Sequence, residues 1–208
     1  MNKYRIVFMG TPDFGVPALE AMTLNGYKPV AIYCQPDRIN GRGRKVNYSP
    51  VKSFGLSHDI PVYQPDSLKN PEEQEKLKAL SPDLLVVIAY GKILPKAVLD
   101  IPTYGAINVH ASLLPKYRGA APIQRVIIDG EKETGVTIMQ LDEGMDTGNI
   151  ISAVKMAIPP HMNAGELFDQ LGSLGARELI HVLDDLPEKL KHSIPQNQEE
   201  ASYAEKIT

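Results

Sequence analysis

Three groups of residues in this 208-residue sequence have types and spacing suited to chemistry. The first is Asn108-Val109-His110, at the end of a short apolar run that begins at Ala106. Side chains two apart in a strand point to the same face, so Asn108 and His110 are expected to project together. An amide donor beside an imidazole can stabilise an oxyanion and move a proton. The carboxyl end of a parallel strand is also where open α/β sheets place their ligands. The plainer alternative is two polar residues that bond loop backbone at a strand exit. The second group is Asp142-Glu143-Gly144-Met145-Asp146-Thr147-Gly148, a turn between two apolar segments. It either carries a carboxylate over a cleft or is an ordinary hairpin loop, the commoner fate of such composition. The third is Gln35 to Lys52, where Arg38, Arg42, Arg44, Lys45 and Lys52 face a single acid, Asp37, in a chain of net charge −3. A cationic loop on an anionic body can contact phosphates without binding nucleic acid everywhere, and the same loop can simply be solvated surface. Gly41 and Gly43, and the near absence of apolar anchors, predict that this loop is mobile without RNA.

Other chemistries find no support. Pro12 stands where a dinucleotide fingerprint after Gly10 requires glycine, and Val16-Pro17 replaces the Lys-Ser/Thr of a phosphate loop. The five histidines are scattered without a His-Glu-x-x-His or Cys/His array, so no metal is expected. A Gly-x-Ser-x-Gly elbow is also missing.

Alternating strands and helices are expected to position these groups. Strands are predicted at 4–9, 30–34, 60–63, 83–89, 106–110, 134–141 and 149–158, from short, β-branched apolar runs. Helices are predicted at 14–24, at 50–58 behind Ser49-Pro50, at 71–80 behind Asn70, at 95–99, from about 120 to 130, and at 164–184. This order implies an α/β fold, Rossmann-like, with a mainly parallel sheet, helices on both faces and an antiparallel edge. Residues 1–186 are expected to form one domain. Residues 187–208, with little apolar periodicity and the polar run Pro195 to Glu200, are expected to be linker.

Hydrophobic residues are 43% and charged residues 23%, which excludes a wholly disordered chain. The single cysteine, Cys34, excludes an internal disulfide and favours a reducing, cytoplasmic location. The sequence predicts no signal peptide and no membrane span.

The motifs Asn108-Val109-His110-Ala111-Ser112-Leu113-Leu114-Pro115, Tyr117-Arg118-Gly119-Ala120-Ala121-Pro122-Ile123-Gln124 and Leu141-Asp142 through Asp146-Thr147-Gly148 resemble the formyltransferases that use 10-formyltetrahydrofolate. Two further stretches, Phe8 to Phe14 and Gln35-Pro36-Asp37-Arg38 with Gly41-Arg42-Gly43, are similar to the members acting on charged initiator tRNA. The resemblance covers about residues 3 to 185. It implies formyl transfer to the α-amine of methionine on initiator tRNA, in support of translation initiation. It also implies a smaller C-terminal tRNA-binding barrel domain beyond the linker, expected to be absent from this chain.

By the same resemblance, Asn108, His110 and Asp146 are the catalytic residues. Asn108 donates to the developing oxyanion, His110 moves protons or polarises the formyl group, and Asp146 orients His110 and carries a proton. The folate is expected along Tyr90, Gly91, Lys92 and Leu94 and along Ser112, Leu113, Leu114 and Pro115. Arg38, Arg42, Arg44 and Lys45 are expected to meet tRNA. Gly10 and Phe14, by position, are candidates for the methionine side-chain pocket. A sister enzyme acting on glycinamide ribonucleotide, a formyltransferase or hydrolase domain linked to sugar nucleotides or folate, and a non-catalytic RNA-binding module are the competing readings.

Overall fold

A computed structural model describes residues 3–40 and 45–207, without the side chains of 38–40 and 45–46. The chain divides into two compact units, Met1–Ala106 and Ile107–Thr208.

The first unit runs β1 (Ile6–Gly10), a 3-10 turn at Asp13–Gly15, α1 (Val16–Leu24), β2 (Ala31–Tyr33), β3 (Arg38–Asn40), β4 (Lys45–Asn47), α2 (Pro50–Ser57), β5 (Val62–Tyr63), α3 (Pro71–Ala79), β6 (Leu84–Ile88) and α4 (Lys96–Leu99). β1 lies parallel to both β2 and β6, with Phe8 opposite Ile32 and Val86, and β2 is parallel to β5. Every residue of β1 and β6 is buried, as continuous apolar runs require when a strand is covered on both faces. The helix starts follow the cap residues. Ser49 Oγ accepts from the Lys52 amide, and Asn70 Oδ1 accepts from the Glu72 amide, each ahead of a proline in the first turn.

The expected polar loop after β2 is partly regular. β3 and β4 form an antiparallel pair that sets Arg38 opposite Asn47 and Asn40 opposite Lys45. Three-residue strands give too little alternation to be read from sequence.

The second unit runs β7 (Ala106–His110), β8 (Arg118–Gly119), α5 (Pro122–Ile128), β9 (Glu133–Gln140), β10 (Ile150–Ala157), α6 (Ala164–Asp184), α7 (Leu186–Lys191), a 3-10 turn at Gln198–Glu200 and β11 (Tyr203–Ala204). β9 pairs antiparallel with both β7 and β10, which supplies the antiparallel strands expected at the edge. The fold is therefore α/β. α6 begins with a reciprocal cap, in which Asn163 Oδ1 accepts from the Glu166 amide at 3.0 Å and Glu166 Oε2 accepts from the Asn163 amide at 2.9 Å. Its buried face includes Leu167, Leu171, Gly175, Leu179 and Val182. A Cβ at Gly175 would lie 2.8 Å from Val109 Cγ1, so glycine here lets α6 close on β7.

The segment expected as linker carries defined structure. Beyond α7, β11 pairs in parallel with β8, matching Tyr203 to Arg118 and Ala204 to Gly119, and Ala204 is fully buried. A two-residue strand paired across more than 80 positions leaves no local periodicity to read. Among the described residues no helix is long and apolar enough to cross a membrane.

Candidate active site

Val109 faces α6, so strand alternation turns Asn108 and His110 to the opposite face. Both are nearly buried, at 9% and 6% exposure, so each works in a poorly hydrated setting where a hydrogen bond counts for more than in water. His110 Nε2 lies 2.9 Å from the Tyr117 carbonyl oxygen. A carbonyl only accepts, so Nε2 carries the hydrogen, and Nδ1 is left as the nitrogen that exchanges a proton. Nδ1 is 3.7 Å from Asp146 Oδ2.

Asp146 reaches that position because its turn is tied at several points. Asp142 Oδ1 accepts from the Gly144 amide at 2.9 Å and from the Thr147 hydroxyl at 2.7 Å, closing the first half of the turn. Gly148 packs against the Gln140 carbonyl so closely that a Cβ would collide with it. Asp146 itself sits at φ +54°, a left-handed conformation that aspartate adopts more readily than most residues. Its Oδ2 accepts from the Gly119 amide at 2.8 Å. Gly119 has φ +107°, and a Cβ there would stand 3.1 Å from the Ala204 carbonyl, so only glycine offers this amide without strain.

Sequence reasoning missed these supports. The Tyr117 carbonyl and Gly119 amide act through backbone, so side-chain chemistry gave no cue, although both residues lie in the recognised Tyr117–Gln124 motif. Gln196, in the expected linker, also went unnoticed. Its Nε2 donates to the carbonyls of Asp146 and Gly148 at 2.9 and 2.7 Å.

The loop after β7 is folded back by Thr137, which lies opposite His110 on β9. The Thr137 hydroxyl donates to the Ser112 carbonyl at 2.7 Å and accepts from the Leu114 amide at 3.1 Å. Ser112 Oγ donates to the Lys116 carbonyl at 2.6 Å, so the hydroxyl is spent on the loop's own backbone. Leu114 is buried, whereas Leu113 and Pro115 are half-buried. Leu114 and Pro115 are joined by a cis peptide bond.

In the first unit, the Tyr90 carbonyl accepts from Gln35 Nε2 at 2.9 Å and from the Thr11 hydroxyl at 3.3 Å. Gly91 is exposed at φ +75°. Lys92 Nζ donates to the carbonyls of Pro65 and Asp66 at 2.6 and 2.7 Å, which holds the segment to its neighbouring loop. Tyr90 and Leu94 are buried, and burial pushes the Tyr90 hydroxyl up to about 12. Tyr90 and Leu94 therefore present little side chain to a ligand, and Gly91 offers backbone.

Gly10 and Phe14, the candidates for a methionine pocket, are core residues. A Cβ on Gly10 would lie 2.7 Å from the Ile88 carbonyl, and Phe14 is 7% exposed. The residues between them do meet open space. Thr11 and Pro12, with Gln35, Asp37, Asn47, Tyr48, Ser49 and others, line a cavity of about 480 Å³. Of the tRNA candidates, Arg38 and Lys45 lie at opposite ends of the β3–β4 pair. Arg42 and Arg44 fall outside the described residues. The root of this segment is fixed by an ion pair of Asp37 with Lys52, and Gln64 Nε2 donates to Asp37 Oδ1 at 2.9 Å. Hydrogen bonds from Lys52 and then Gln64 hold the Asp37 carboxyl below the usual carboxylate range. Among the described residues no three His, Cys, Asp or Glu side chains converge as a metal site would require.

The chain has relatives among known proteins. The chain is 52% identical to a methionyl-tRNA formyltransferase of Hydrogenovibrio crunogenus, over 98% of this chain and 65% of the relative. It is 50% identical to one of Legionella pneumophila strain Paris, over 100% of this chain and 66% of the relative. It thus spans just under two thirds of these relatives' length. Among solved structures, an N-formyltransferase from Helicobacter canadensis in complex with folinic acid and dTDP-3-aminofucose matches at TM-score 0.72 and 23% identity, over 98% of this chain and 71% of that one. A phosphoribosylglycinamide formyltransferase from Streptococcus pneumoniae TIGR4 matches at TM-score 0.72 and 20% identity, over 88% of this chain and 98% of that one. These structural likenesses bear on the fold. With the formyl transferase family matching residues 4–183, the chain belongs to the formyl transferase family.

Proposed function

We propose that this protein transfers the formyl group of 10-formyltetrahydrofolate to the α-amine of methionine esterified to initiator tRNA, in the cytoplasm, to supply translation initiation. The observation that carries this reading is the approach of His110 Nδ1 to Asp146 Oδ2 at 3.7 Å, on the side of β7 that also presents Asn108. A free α-amine has a pKa of about 7.7–8.0, so a useful fraction, roughly 10–17%, is already neutral at pH 7 without activation. The amine nitrogen attacks the formyl carbon, and the carbonyl oxygen takes up negative charge. Asn108 donates to that oxygen. Losing one such donor typically costs about 2.7–4 kcal/mol of transition-state stabilisation. The amine then releases a proton to the His110–Asp146 pair. The bond between the formyl carbon and the folate nitrogen breaks, and that nitrogen takes a proton from the same pair, so charge and protons balance. No metal enters this sequence.

Tyr90 to Leu94 and Ser112 to Pro115 are each proposed to contact the folate, chiefly through backbone at Gly91 and through Leu113. Arg38, Arg42, Arg44 and Lys45 are proposed to meet phosphates of the tRNA. The identity of about 50% to enzymes named for methionyl-tRNA favours this acceptor over glycinamide ribonucleotide or an amino sugar. A labelled-formyl transfer assay tests the choice, with charged initiator tRNA, glycinamide ribonucleotide and a dTDP-amino sugar as rival acceptors. Label is expected on the methionyl-tRNA alone. Transfer only to a small acceptor would overturn the reading.

A further inference from the structure

Arg118 is the largest side chain fully withdrawn from solvent in the described residues, at 1% exposure. A buried guanidinium is costly unless its hydrogens are well met. Here Nε and Nη2 both donate to Gln196 Oε1, at 3.1 and 2.7 Å, and Nη1 donates to Gln198 Oε1 at 2.8 Å. Two donors on one oxygen decide which way the Gln196 amide faces, because only its oxygen can accept. Its nitrogen is thereby turned to the Asp146 and Gly148 carbonyls. Gln196 is 7% exposed and lies beyond residue 183, where the family match ends.

We propose that Gln196, oriented by Arg118, is a positioning residue that holds the Asp146 turn in register with His110. It grips the backbone on both sides of Thr147 and fixes Asp146 in its left-handed conformation. Gly119, next to Arg118, holds the Asp146 carboxylate itself. One charged side chain thus anchors both the turn and the strand that receives its acid. This proposal rests on the role given to Asp146 above.

Two variants test it. Gln196→Met keeps the volume and removes both the acceptor and the donor. Gln196→Glu keeps an oxygen acceptor for Arg118, now charged, and replaces the donors to the turn by a carboxylate oxygen that the two carbonyls repel, so it guards against simple unfolding. In single-turnover formylation at saturating substrates, both are expected to lose about ten- to a hundredfold, the range expected for small misplacement of a reacting group. The half-saturating tRNA and folate concentrations are expected to stay unchanged. Placed on Asp146→Asn, neither variant is expected to lower the residual rate further. A wild-type rate in Gln196→Glu overturns the proposal, as does an equal proportional loss in the Asp146→Asn background, which marks a merely structural residue. A full rate in Asp146→Asn alone overturns the role of Asp146, and the proposal with it. Loss in Asp146→Asn together with a wild-type rate in Gln196→Glu overturns the positioning role alone.

Discussion

The Asp146 turn and the cationic segment after β2 are both polar, glycine-containing connections, and their described contacts fall at different places. The turn is fastened at its working residue. The Gly119 amide meets the Asp146 carboxylate, Gln196 grips the flanking carbonyls, and Asp142 closes the entry. Among the described residues of the cationic segment, the contacts lie at its root, where Asp37 meets Lys52 and Gln64 beside the β3–β4 pair. The contrast matches the two tasks proposed for them. A group that moves a proton has to be held to a fraction of an ångström, whereas a charge that meets a phosphate acts over a Debye length of about 10 Å.

The largest effect should fall on the fastened side. Asn108→Ala and His110→Ala are each expected to slow single-turnover formylation by at least about a hundredfold while the fold persists. Circular dichroism beside the rate separates the two. A rate within a few-fold of wild type in Asn108→Ala would remove the amide from the mechanism.

Gly148→Ala sharpens the comparison through packing. The added methyl runs into the Gln140 carbonyl, and overpacking of this kind costs roughly 1–3 kcal/mol. Calorimetry should show a drop in Tm of several degrees, at about 2–4 °C per kcal/mol for a chain of this size. An unchanged Tm would mean that the turn yields more easily than its contacts imply.

On the cationic side, Arg42→Ala is expected to weaken tRNA binding and to reduce the logarithmic salt slope by about one, the loss of one phosphate contact. Folate affinity, read by calorimetry, should be unchanged. An unaltered salt slope would leave the segment as solvated surface and strengthen the small-acceptor alternative.

The smallest effect concerns the root. Lys52 and Gln64 depress the Asp37 carboxyl, so its contribution to stability is present above the unfolded-state value of about 3.9 and fades as pH falls below it. Asp37→Asn should lower Tm slightly at pH 6. The gap from wild type should close as the buffer is taken below about pH 4. A gap that widens in acid would reverse the assigned sign.

What the sequence revealed follows the range of the forces involved. α6 spans Ala164–Asp184 as its apolar spacing foretold, because a 21-residue amphipathic helix repeats its signal many times. The starts of α2 and α3 were legible from Ser49-Pro50 and Asn70-Pro71, since a cap is a local hydrogen bond. β8 and β11 were not legible. Each has two residues, and each exists because the other lies beside it. Gln196 was hidden for the same reason. A glutamine between Pro195 and Asn197 reads as linker, and its burial is decided by Arg118, 78 positions earlier. Of the proposed site, Asn108, His110 and Asp146 were visible as side chains and by resemblance. The Tyr117 carbonyl and Gly119 amide were not, because backbone groups carry no residue-type signal. Gly10 and Phe14 were read as pocket candidates from their position beside a strand exit, and position alone does not tell cavity wall from the buried core in which both lie.

The proposed division of labour between the two regions can be measured in one experiment. Single-turnover formylation of methionyl initiator tRNA is followed across tRNA concentrations for wild type, Asn108→Ala and Arg42→Ala, with 10-formyltetrahydrofolate saturating. Asn108→Ala should depress the saturated rate and leave the half-saturating tRNA concentration in place. Arg42→Ala should raise that concentration and restore the rate once tRNA is in excess. If both variants lower the saturated rate alike, or if Asn108→Ala is rescued by more tRNA, chemistry and acceptor binding are not divided between these regions and the account is wrong.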